Sequence, residues 1–507
     1  MPTRDSHSPP PAAPAFVAPS AAASSSDAPA APPSEAFDVI VIGAGVVGCA
    51  VTRRFALEGA KVLCVEKAAD ILDGASKANT AILHTGFDAR PDSLEHHCIV
   101  AGREEYLRIR ARLNLPLLAT GALVLAWNGD ESARLDAALE RARANRIAGA
   151  KLLTAKQVRA REPRLAADVR AALDIPGEAV IDPWSAPHAY LLQALGNGAK
   201  LLRDCAVTGG RFDGDWTLRT SRGRLRAACV INCAGLYGDR VDAALLGRAG
   251  FRIGPRKGQF LVYDKSAYRL LRAALYPPPG AASKGVIICR TVFGNVLVGP
   301  SSEPQNSRDD AATTAAMLRE LRAIGERRLP ALASHAVTAA YAGIRPATES
   351  ADYRIAAHPV RRYVSVGGIR STGLSAALGI AGHVFNACAD FDGSGGDRDH
   401  AGNNRDGGDR VRPPPPSWPQ TSALAENQTR DWQTPGNGGI VCHCERVTRR
   451  EILRALDGPL RAAGLSALKR RTRAGMGRCQ GFYCAAALAE LTRGHFAAPL
   501  AWPADRG

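Results

Sequence analysis

The chain has 507 residues with a hydrophobic fraction of 46%, which excludes global disorder and fibrous proteins. Its formal net charge of +17 comes from 65 basic and 48 acidic residues and is compatible with binding of nucleic acid, an anionic membrane surface or an acidic small molecule. An aromatic fraction of 6% is thin for stacking on nucleic-acid bases, so no nucleic-acid binding is expected. The longest apolar run, residues 39 to 51, is shorter than the about 20 residues of a membrane-spanning helix, so no transmembrane segment is expected.

Composition divides the chain into four parts. Residues 1 to 36 are rich in Ala, Pro and Ser, lack the pattern of a secretory signal, and are predicted to form a disordered tail. Residues 37 to 389 form the body, residues 390 to 438 are predicted to be a disordered linker, and residues 439 to 500 form a small module. Because no export signal is present, the twelve cysteines are expected to stay reduced in the cytoplasm. Peripheral association with the inner face of the membrane is the alternative location.

Within the body, short apolar runs alternate with helical patterns, and no internal repeat is visible. Strands are predicted at residues 39–42, 61–65, 122–126, 228–232, 260–262, 286–289, 296–298 and 363–366. The clearest helical pattern covers residues 132 to 148. Strands interleaved with helices predict α/β and α+β layers.

The first chemical signal is a glycine-rich turn, Gly43-Ala-Gly-Val-Val-Gly48, between a strand and a helix, with Glu66 at the end of the next strand. Gly43 suits the tight turn, Gly45 the approach of the backbone to a pyrophosphate, and Gly48 the close packing of helix on strand. Glu66 can accept hydrogen bonds from ribose hydroxyls. This pattern predicts a dinucleotide site, with a turn that binds no ligand as the alternative, and no second such fingerprint appears.

Six further segments follow one another through the body. They are Asp73-Gly-Ala-Ser-Lys-Ala-Asn-Thr-Ala-Ile-Leu-His-Thr-Gly86, Val230-Ile-Asn-Cys-Ala-Gly-Leu-Tyr, Pro255-Arg-Lys-Gly-Gln, Gly294-Asn-Val-Leu-Val-Gly-Pro, Tyr341-Ala-Gly-Ile-Arg-Pro and Gly367-Gly-Ile-Arg-Ser-Thr-Gly-Leu. As an ordered set they resemble the D-amino-acid oxidase superfamily, and within it the FAD-dependent glycerol-3-phosphate dehydrogenases.

This resemblance implies FAD as the cofactor and a Rossmann-type FAD domain interleaved with an antiparallel-sheet substrate domain. The FAD domain is expected at about residues 37–110, 176–255 and 340–389, and the substrate domain at about 111–175 and 256–339.

The resemblance also implies a set of contacts to the flavin nucleotide. They are Ser76, Asn79, Val207, Gly235, Gly368, Ser371, Thr372 and Gly373. Turn geometry is the alternative role for the glycines, and helix capping is the alternative for Ser76 and Asn79.

The substrate side needs an anchor for an anionic group and a group that takes a proton. Arg345 matches the family's substrate arginine, and Arg370, beside the flavin loop, is a second candidate anchor. Lys257 is expected near the flavin. His84 is the candidate acid or base, with a structural histidine or a covalent link to FAD as alternatives.

Two positions depart from the family pattern. Arg290 and Phe293 stand where glycerol-3-phosphate dehydrogenases usually carry a histidine and a proline, at the expected border of the substrate site. Oxidation of a 2-hydroxy acid such as 2-hydroxyglutarate, of an opine or of an amino acid is therefore the alternative activity.

The module carries Cys442, Cys444, Cys479 and Cys484, spaced C-x-C, 34 residues, C-x4-C. Zinc sites usually use paired C-x2–4-C knuckles, whereas four thiolates on short loops also bind a [2Fe–2S] cluster. The segment resembles the bacterioferritin-associated ferredoxin-like [2Fe–2S] domain, which implies a cluster; zinc or a cluster-free relic is the alternative. His443 is expected to be a bystander.

These observations predict an FAD-dependent dehydrogenase that oxidises a small anionic hydroxy compound, with glycerol 3-phosphate as the first candidate. Electrons would pass to the cluster and then to a quinone-linked subunit or an acceptor protein. The rival interpretation is an electron-relay subunit of a heteromeric dehydrogenase, without its own substrate site.

Overall fold

The computed structural model describes residues 35 to 279, 285 to 392 and 416 to 500. The predicted tail up to residue 34, and residues 393 to 415 of the predicted linker, lie outside the described residues.

The secondary structure follows the predicted alternation. The α-helices of the described residues are α1 (Val46–Leu57), α2 (Leu94–Ile109), α3 (Gly129–Ala144), α4 (Ala155–Arg161), α5 (Ser185–Gly196), α6 (Gly238–Leu246), α7 (Ala315–Arg328), α8 (Gly373–Cys388), α9 (Arg449–Leu456), α10 (Leu465–Thr472) and α11 (Ala485–Leu491). Short 3-10 helices cover Ala75–Lys77, Gly235–Tyr237, Lys265–Leu270, Pro330–Ser334, Pro359–Arg361, Ala389–Asp392 and Asp431–Gln433.

The strands are β1 (Ala36–Ile42), β2 (Val62–Val65), β3 (Ile82–Leu83), β4 (Ala122–Ala126), β5 (Lys151–Thr154), β6 (Ala171–Ile175), β7 (Ala179–Val180), β8 (Lys200–Leu202), β9 (Val207–Asp213), β10 (Asp215–Thr220), β11 (Gly223–Asn232), β12 (Gly254–Tyr263), β13 (Ala274–Tyr276), β14 (Ile287–Arg290), β15 (Val296–Gly299), β16 (Glu303–Pro304), β17 (Val337–Ala347), β18 (Arg354–His358), β19 (Tyr363–Gly367), β20 (Ile440–Cys442) and β21 (Val447–Thr448). Each strand predicted from an apolar run is present, with ends that differ by a few residues.

The first sheet contains the predicted dinucleotide unit. Its order is β18-β19-β11-β1-β2-β8, and β10 and β9 continue it from β11. The strands from β19 to β8 run parallel, with α1 between β1 and β2, as in a Rossmann-type sheet. Because the carboxyl ends of parallel strands meet at one edge, the residues that follow β1, β2, β11 and β19 come together there.

The second sheet has the order β16-β12-β15-β14-β13-β4-β6-β5, with β17 beside β12. The predicted antiparallel sheet is confirmed, apart from the parallel pair of β4 and β13. β17 pairs with β12 from Val337 to Ala347. The predicted domain boundary between residues 339 and 340 is therefore wrong, because it cuts this strand.

Both sheets are covered by apolar cores on their two faces. In β1, Val39 and Val41 face the core beneath α1, whereas Ile40 faces the opposite core. In β4, Val124 and Leu125 likewise face opposite sides of the second sheet. Strands buried on both faces explain why the sequence shows continuous apolar runs rather than alternation.

Helix α3 begins and ends earlier than the predicted 132 to 148. The side chain of Asn128 accepts a hydrogen bond from the Glu131 backbone N–H at 2.8 Å, which caps the helix at its start. The chain then takes a left-handed conformation at Arg146, with φ of 55°, which the helix cannot continue through.

Part of the predicted disordered linker is packed on the body. Leu424 and Ala425 are buried in the core of the second sheet, and the Thr421 hydroxyl donates to the Leu113 carbonyl at 3.0 Å. The linker prediction is therefore wrong for residues 416 to 438, which we call the strap. The composition of the strap is mostly polar, and the sequence therefore offers no indication that Leu424 and Ala425 are buried.

The last two residues of the predicted tail also have structure. Glu35 forms ion pairs with Lys61 and Lys200, and Ala36 begins β1. The first sheet thus begins slightly before residue 37.

The module after the strap has its own core. The hairpin β20–β21 and helices α9, α10 and α11 surround Val447, Ile452, Leu468 and Leu488. Across the described residues of the whole chain, no helix combines the length and the apolar character needed to cross a membrane.

Candidate active site and cluster domain

A cavity of about 970 Å³ opens at the carboxyl edge of the first sheet and extends to the second sheet. The predicted site residues that line it are Gly43, Gly45, Glu66, Ser76, Asn79, His84, Val207, Gly235, Arg345, Arg370, Ser371 and Gly373. The fold therefore brings predicted site residues from distant parts of the body, from Gly43 to Gly373, into one cavity.

The glycine turn has the geometry of a dinucleotide cradle. Gly43 has φ of 102°, and a Cβ atom on Gly48 would stand 1.8 Å from the Gly43 carbonyl oxygen. A Cβ atom on Gly45 would meet only the Ser76 hydroxyl, at 3.2 Å. Gly48 therefore serves helix packing behind the cavity, as expected, while Gly45 leaves open space for the backbone to approach a pyrophosphate.

Ser76 and Asn79 combine the two roles that the sequence left open. The Ser76 hydroxyl accepts a hydrogen bond from the Val46 backbone N–H at 3.0 Å, which caps the start of α1. Asn79 closes a local turn, because its Oδ1 accepts from the Ala81 N–H at 2.7 Å. Both residues also line the cavity, so capping does not exclude contact with a cofactor.

Glu66 lies where a ribose is expected. Its carboxylate oxygens accept hydrogen bonds from the backbone N–H groups of Ala44, at 2.7 Å, and Ala68, at 2.9 Å. Burial raises the pKa of Glu66, and these hydrogen bonds oppose the shift. Nearby, Gly235 has φ of 53° and open space at its Cβ position, which fits close approach of a dinucleotide. This part of the cavity fits FAD.

The loop after β19 faces the cavity only in part. Ser371 and Gly373 line the cavity, whereas Gly368 forms a turn with φ of 72°. The Thr372 hydroxyl is buried against Glu95 at 2.6 Å and Tyr353 at 2.7 Å. Gly368 and Thr372 are not among the residues that line the cavity, and their contact with the flavin stays a prediction.

His84 is held by a carboxylate that the sequence did not reveal. Its Nδ1 lies 3.1 Å from Glu178 Oε2, and Glu178 also accepts hydrogen bonds from Thr85 and from the Tyr276 hydroxyl. Burial opposes ionisation of Glu178, but His84 and Thr85 outweigh it and hold the pKa of Glu178 below its ordinary range. Because a carboxylate only accepts, Nδ1 carries a proton and Nε2 is left as the basic nitrogen.

Two arginines from neighbouring strands meet on the other side of the cavity. Arg345 in β17 is in register with Arg256 in β12, and both line the cavity. Arg345 donates to the Ser301 carbonyl at 3.3 Å, and Arg256 to the Ser302 hydroxyl at 3.0 Å. Among the described residues, neither has a carboxylate within ion-pair distance. Burial, with the positive charge of Arg256, lowers the pKa of Arg345 to about 10, so the pair offers an uncompensated site for an anion.

Lys257 does not reach this site. Its Nζ donates to Asp310 at 3.0 Å and to the Ala312 carbonyl at 3.1 Å, on the opposite side of β12 from Arg256. The predicted position of Lys257 beside the flavin is therefore wrong, because successive side chains of a strand point to opposite faces. Arg370 does line the cavity, with Nη2 on the Ala351 carbonyl at 2.6 Å.

The two positions that depart from the family pattern lie outside the cavity. Arg290 donates to the Arg272 carbonyl. Phe293 stacks on Trp184, with ring centroids 5.5 Å apart and planes at 14°. The expectation that they border the substrate is wrong, and Phe293 instead faces the C-terminal module.

The four cysteines of the module approach one another as two pairs. Cys442 and Cys484 are buried and within hydrogen-bonding reach of each other, and so are the more exposed Cys444 and Cys479. Among the described residues no three Cys, His, Asp or Glu side chains converge as they would on a single metal ion. A [2Fe–2S] cluster instead takes two thiolates at each iron, which the two pairs fit.

Backbone donors surround the thiols as well. The N–H of Gly475 points at Cys442 Sγ at 3.5 Å. The N–H groups of Tyr483, Gly481 and Phe482 lower the pKa of Cys479. Such donors stabilise the negative charge of a thiolate-bound cluster.

The module is docked directly on the body. Asp70 forms a bidentate ion pair with Arg471, at 2.6 and 2.7 Å, and Asp264 forms one with Arg478. The Arg473 guanidinium lies 3.9 Å from the centre of the Phe293 ring. The module is therefore packed on the body, although the sequence predicts a disordered linker between them.

A chain of contacts connects the cavity with the cysteines. Trp184 donates from its indole N–H to the carbonyl of the cavity residue Lys77 at 3.1 Å and stacks on Phe293. The Arg473 guanidinium lies over the Phe293 ring. Its Nε donates a hydrogen bond at 2.8 Å to the carboxylate of Glu445, the residue that follows Cys444. Because Phe293 and Trp184 come from distant segments, no sequence pattern reveals this contact.

The fold and the site together define a flavoenzyme with an attached iron–sulfur domain. A family model described as FAD dependent oxidoreductase matches residues 38–386, and one described as BFD-like [2Fe-2S] binding domain matches residues 440–493. The chain belongs to the FAD-dependent oxidoreductase family and carries a C-terminal [2Fe–2S] domain. Its cofactors are FAD and a [2Fe–2S] cluster, as predicted.

Two relatives align with 90% of the chain, and a solved structure superposes on 70% of it. A glycerol 3-phosphate dehydrogenase of Caloramator mitchellensis is 29% identical over 459 residues, 90% of this chain and 93% of the relative. One subunit of the anaerobic glycerol-3-phosphate dehydrogenase of Escherichia coli K12 is 27% identical, with 90% and 88% covered. The FAD-bound L-alpha-glycerophosphate oxidase of Mycoplasma pneumoniae superposes with a TM-score of 0.66 at 27% identity, covering 70% of this chain and 95% of that one.

Proposed function

We propose that the protein oxidises glycerol 3-phosphate and delivers the electrons through its [2Fe–2S] domain to a quinone-linked subunit or an acceptor protein. The observation that carries the substrate proposal is the pair Arg256 and Arg345, two cations without carboxylate partners among the described residues, in the same cavity as His84. Guanidinium groups bind phosphate oxygens bidentately, and two of them match the charge of a phosphate monoester.

The residues of the chain suit each part of the reaction. Arg256 and Arg345 hold the phosphate and thereby orient the rest of the molecule. Nε2 of His84 takes the hydroxyl proton, while Glu178 stabilises the positive charge that then develops on the imidazole. Bound FAD supplies the hydride acceptor. The names of the relatives from Caloramator and Mycoplasma support glycerol 3-phosphate as the substrate.

The contacts between Lys77, Trp184, Phe293, Arg473 and Glu445 support the transfer of electrons from the cavity to the module. Direct packing of the module on the body keeps the two redox sites at a fixed separation. The relay interpretation, which lacks a substrate site, is disfavoured because the cavity already holds an acid–base pair and an anion site.

An anaerobic titration tests the proposal. The purified holoenzyme is mixed with glycerol 3-phosphate, 2-hydroxyglutarate or an amino acid, and loss of the flavin absorbance is followed. We expect bleaching by glycerol 3-phosphate. Arg345→Lys should weaken substrate binding by about tenfold to a hundredfold with unchanged FAD content, because a charged hydrogen bond contributes roughly 1.5–3 kcal/mol.

Arg370→Lys is the matched control, since Arg370 lines the same cavity but is bonded to the Ala351 carbonyl. Bleaching by 2-hydroxyglutarate or an amino acid in place of glycerol 3-phosphate would contradict the substrate proposal. Absence of bleaching by all three would favour the relay interpretation.

A further inference from the structure

An exposed aromatic pair stands beside the cluster cysteines. Phe482 is 80% exposed and Tyr483 is 77% exposed, and their rings meet edge to face with centroids 5.2 Å apart. Exposed aromatic side chains contribute nothing to the core of the module, and aromatic residues are enriched at the centres of protein interfaces. The pair therefore marks a contact surface.

This surface adjoins the outer pair of thiols. Phe482 and Tyr483 lie in the loop between Cys479 and Cys484, and the Phe482 backbone N–H donates to the Cys479 carbonyl at 3.0 Å. Cys479 and Cys444 are partly exposed, whereas Cys442 and Cys484 are buried. The thiols nearest the solvent are thus the ones next to the aromatic pair, on the side where an acceptor could come close.

The charge around the aromatic pair indicates the chemistry of the partner. Residues 439 to 493 contain 11 basic and 4 acidic residues, and residues 469 to 484, which include the aromatic pair, contain no acidic residue. The arginines of this stretch are ion-paired, for example Arg478 with Asp264. Lys469 forms no ion pair among the described residues, and its side chain lies 3.4 Å from the Cβ position of Gly475, which contacts Gly481 next to the aromatic pair. A carrier with an acidic rim would be attracted to this surface and steered onto it.

We propose that Phe482 and Tyr483 form the centre of a docking surface for an acidic one-electron carrier protein. The proposal rests on the proposed function, in that the cluster must be the point where electrons leave. The aromatic rings supply the desolvated contact, and Lys469 with the positive surplus of the module supplies attraction and orientation. The electron passes from the reduced cluster to the carrier, which is reduced as the cluster is oxidised.

The test bypasses the substrate, so that it can fail independently of the substrate proposal. The holoenzyme is reduced with a stoichiometric amount of dithionite, and reoxidation of the cluster is followed by EPR after mixing with cytochrome b5, an acidic haem carrier. Cytochrome c, a basic haem carrier, and a small uncharged quinone are compared. The variants are Phe482→Gln with Tyr483→Gln, and Val360→Gln as control, because Val360 is 90% exposed on the body.

We expect cytochrome b5 to oxidise the wild-type cluster faster at low salt than at high salt, and faster than cytochrome c does. The double variant should keep its cluster content and its rate with the quinone, and lose at least about tenfold in rate with cytochrome b5. The Val360→Gln variant should behave as wild type.

Equal rates with cytochrome b5 in the double variant and in the control would overturn the proposal, as would preference for cytochrome c or no reaction with cytochrome b5. A homodimer that the double variant abolishes would assign the surface to a second copy of the chain instead.

Discussion

At the scale of single residues, a carboxylate buried away from the substrate decides how His84 can act. The Glu178 carboxylate accepts hydrogen bonds from His84, Thr85 and Tyr276. It fixes the tautomer of the imidazole and supplies the charge that a protonated imidazole needs. Glu178 is a positioning residue, since it acts through His84.

Glu178→Gln should lower kcat by about a hundredfold or more, within the range by which general acid–base catalysis accelerates reactions. The FAD content should not change. Steady-state kinetics measures kcat, and the flavin absorbance of the purified protein measures the FAD content.

Tyr276→Phe is the control, because it removes one hydrogen bond to the same carboxylate and keeps its charge. A smaller loss of kcat is expected there. A Glu178→Gln enzyme with wild-type kcat would show that the pair of His84 and Glu178 is structural.

The same carboxylate should influence acid stability. Because the folded state holds the pKa of Glu178 below its ordinary value, its contribution is complete above the unfolded pKa of about 4.3 and is lost as the pH falls through the folded pKa. Glu178→Gln should therefore lower Tm at pH 7, and this loss of Tm relative to the wild type should become smaller as the pH falls. Scanning calorimetry of the wild type and of Glu178→Gln, at pH 7 and at acidic pH, measures this. An equal difference in Tm between the two proteins at both pH values would contradict the prediction.

Residue roles were predictable only where a motif carries them. The glycine turn and Glu66 follow from spacing along one strand–turn–helix unit, and the cysteines follow from their own spacing. Glu178 has no local signal, because it reaches His84 across 94 positions of sequence. Arg256 stood in a recognised motif beside Lys257, but only the direction of side chains in β12 decides which of the two lines the cavity.

At the scale of elements, the turn between β1 and α1 separates two functions of glycine. Gly48 allows α1 to pack against the turn, and Gly45 leaves the cavity open. Gly45 has φ of −73°, a conformation that alanine adopts without strain, so its role concerns space rather than backbone freedom.

Gly48→Ala should destabilise the apoprotein by about 1–3 kcal/mol or more, because the added Cβ atom overlaps a backbone oxygen. Gly45→Ala should leave the Tm of the apoprotein nearly unchanged and weaken FAD binding. Thermal melts with and without FAD, and fluorescence titration of FAD, distinguish the two. Equal loss of apoprotein stability in both variants would contradict this division of roles.

Element positions could be predicted from apolar runs because the strands are buried on both faces. Element ends were harder to predict, since the Ser76 side chain that caps α1 comes from 30 positions further along the chain. The pairing of β17 with β12, which aligns Arg345 with Arg256, is likewise a long-range property without a sequence signal.

At the scale of the whole molecule, the body and the module form one packed unit. The ion pair of Asp70 with Arg471 and the contact of Phe293 with Arg473 lie at the seam between them. Sequence composition predicted separate parts, because a polar segment with few apolar residues usually stays unfolded.

Asp70→Asn should loosen this seam, because removing one partner of a buried ion pair costs about 3–5 kcal/mol. Reduction of the flavin by substrate should be retained, whereas reduction of the cluster should slow, as rapid mixing with EPR detection would show. Glu140→Gln, on the exposed face of α3, is the charge-matched control. Unaltered transfer to the cluster in Asp70→Asn would show that the seam does not set the redox geometry.

The strap has a consequence for the synthesis of the protein. Leu424 and Ala425 fill the core of the second sheet, although β17, which completes that sheet in chain order, ends at Ala347. A nascent chain that has just finished β17 leaves this core open to water until the strap has emerged from the ribosome. The Arg430 side chain donates hydrogen bonds to the carbonyls of Leu424, in the strap, and Glu445, in the module. The core of the second sheet is therefore completed by the same part of the chain that leads into the iron–sulfur domain, so both are expected to fold at the same stage of synthesis.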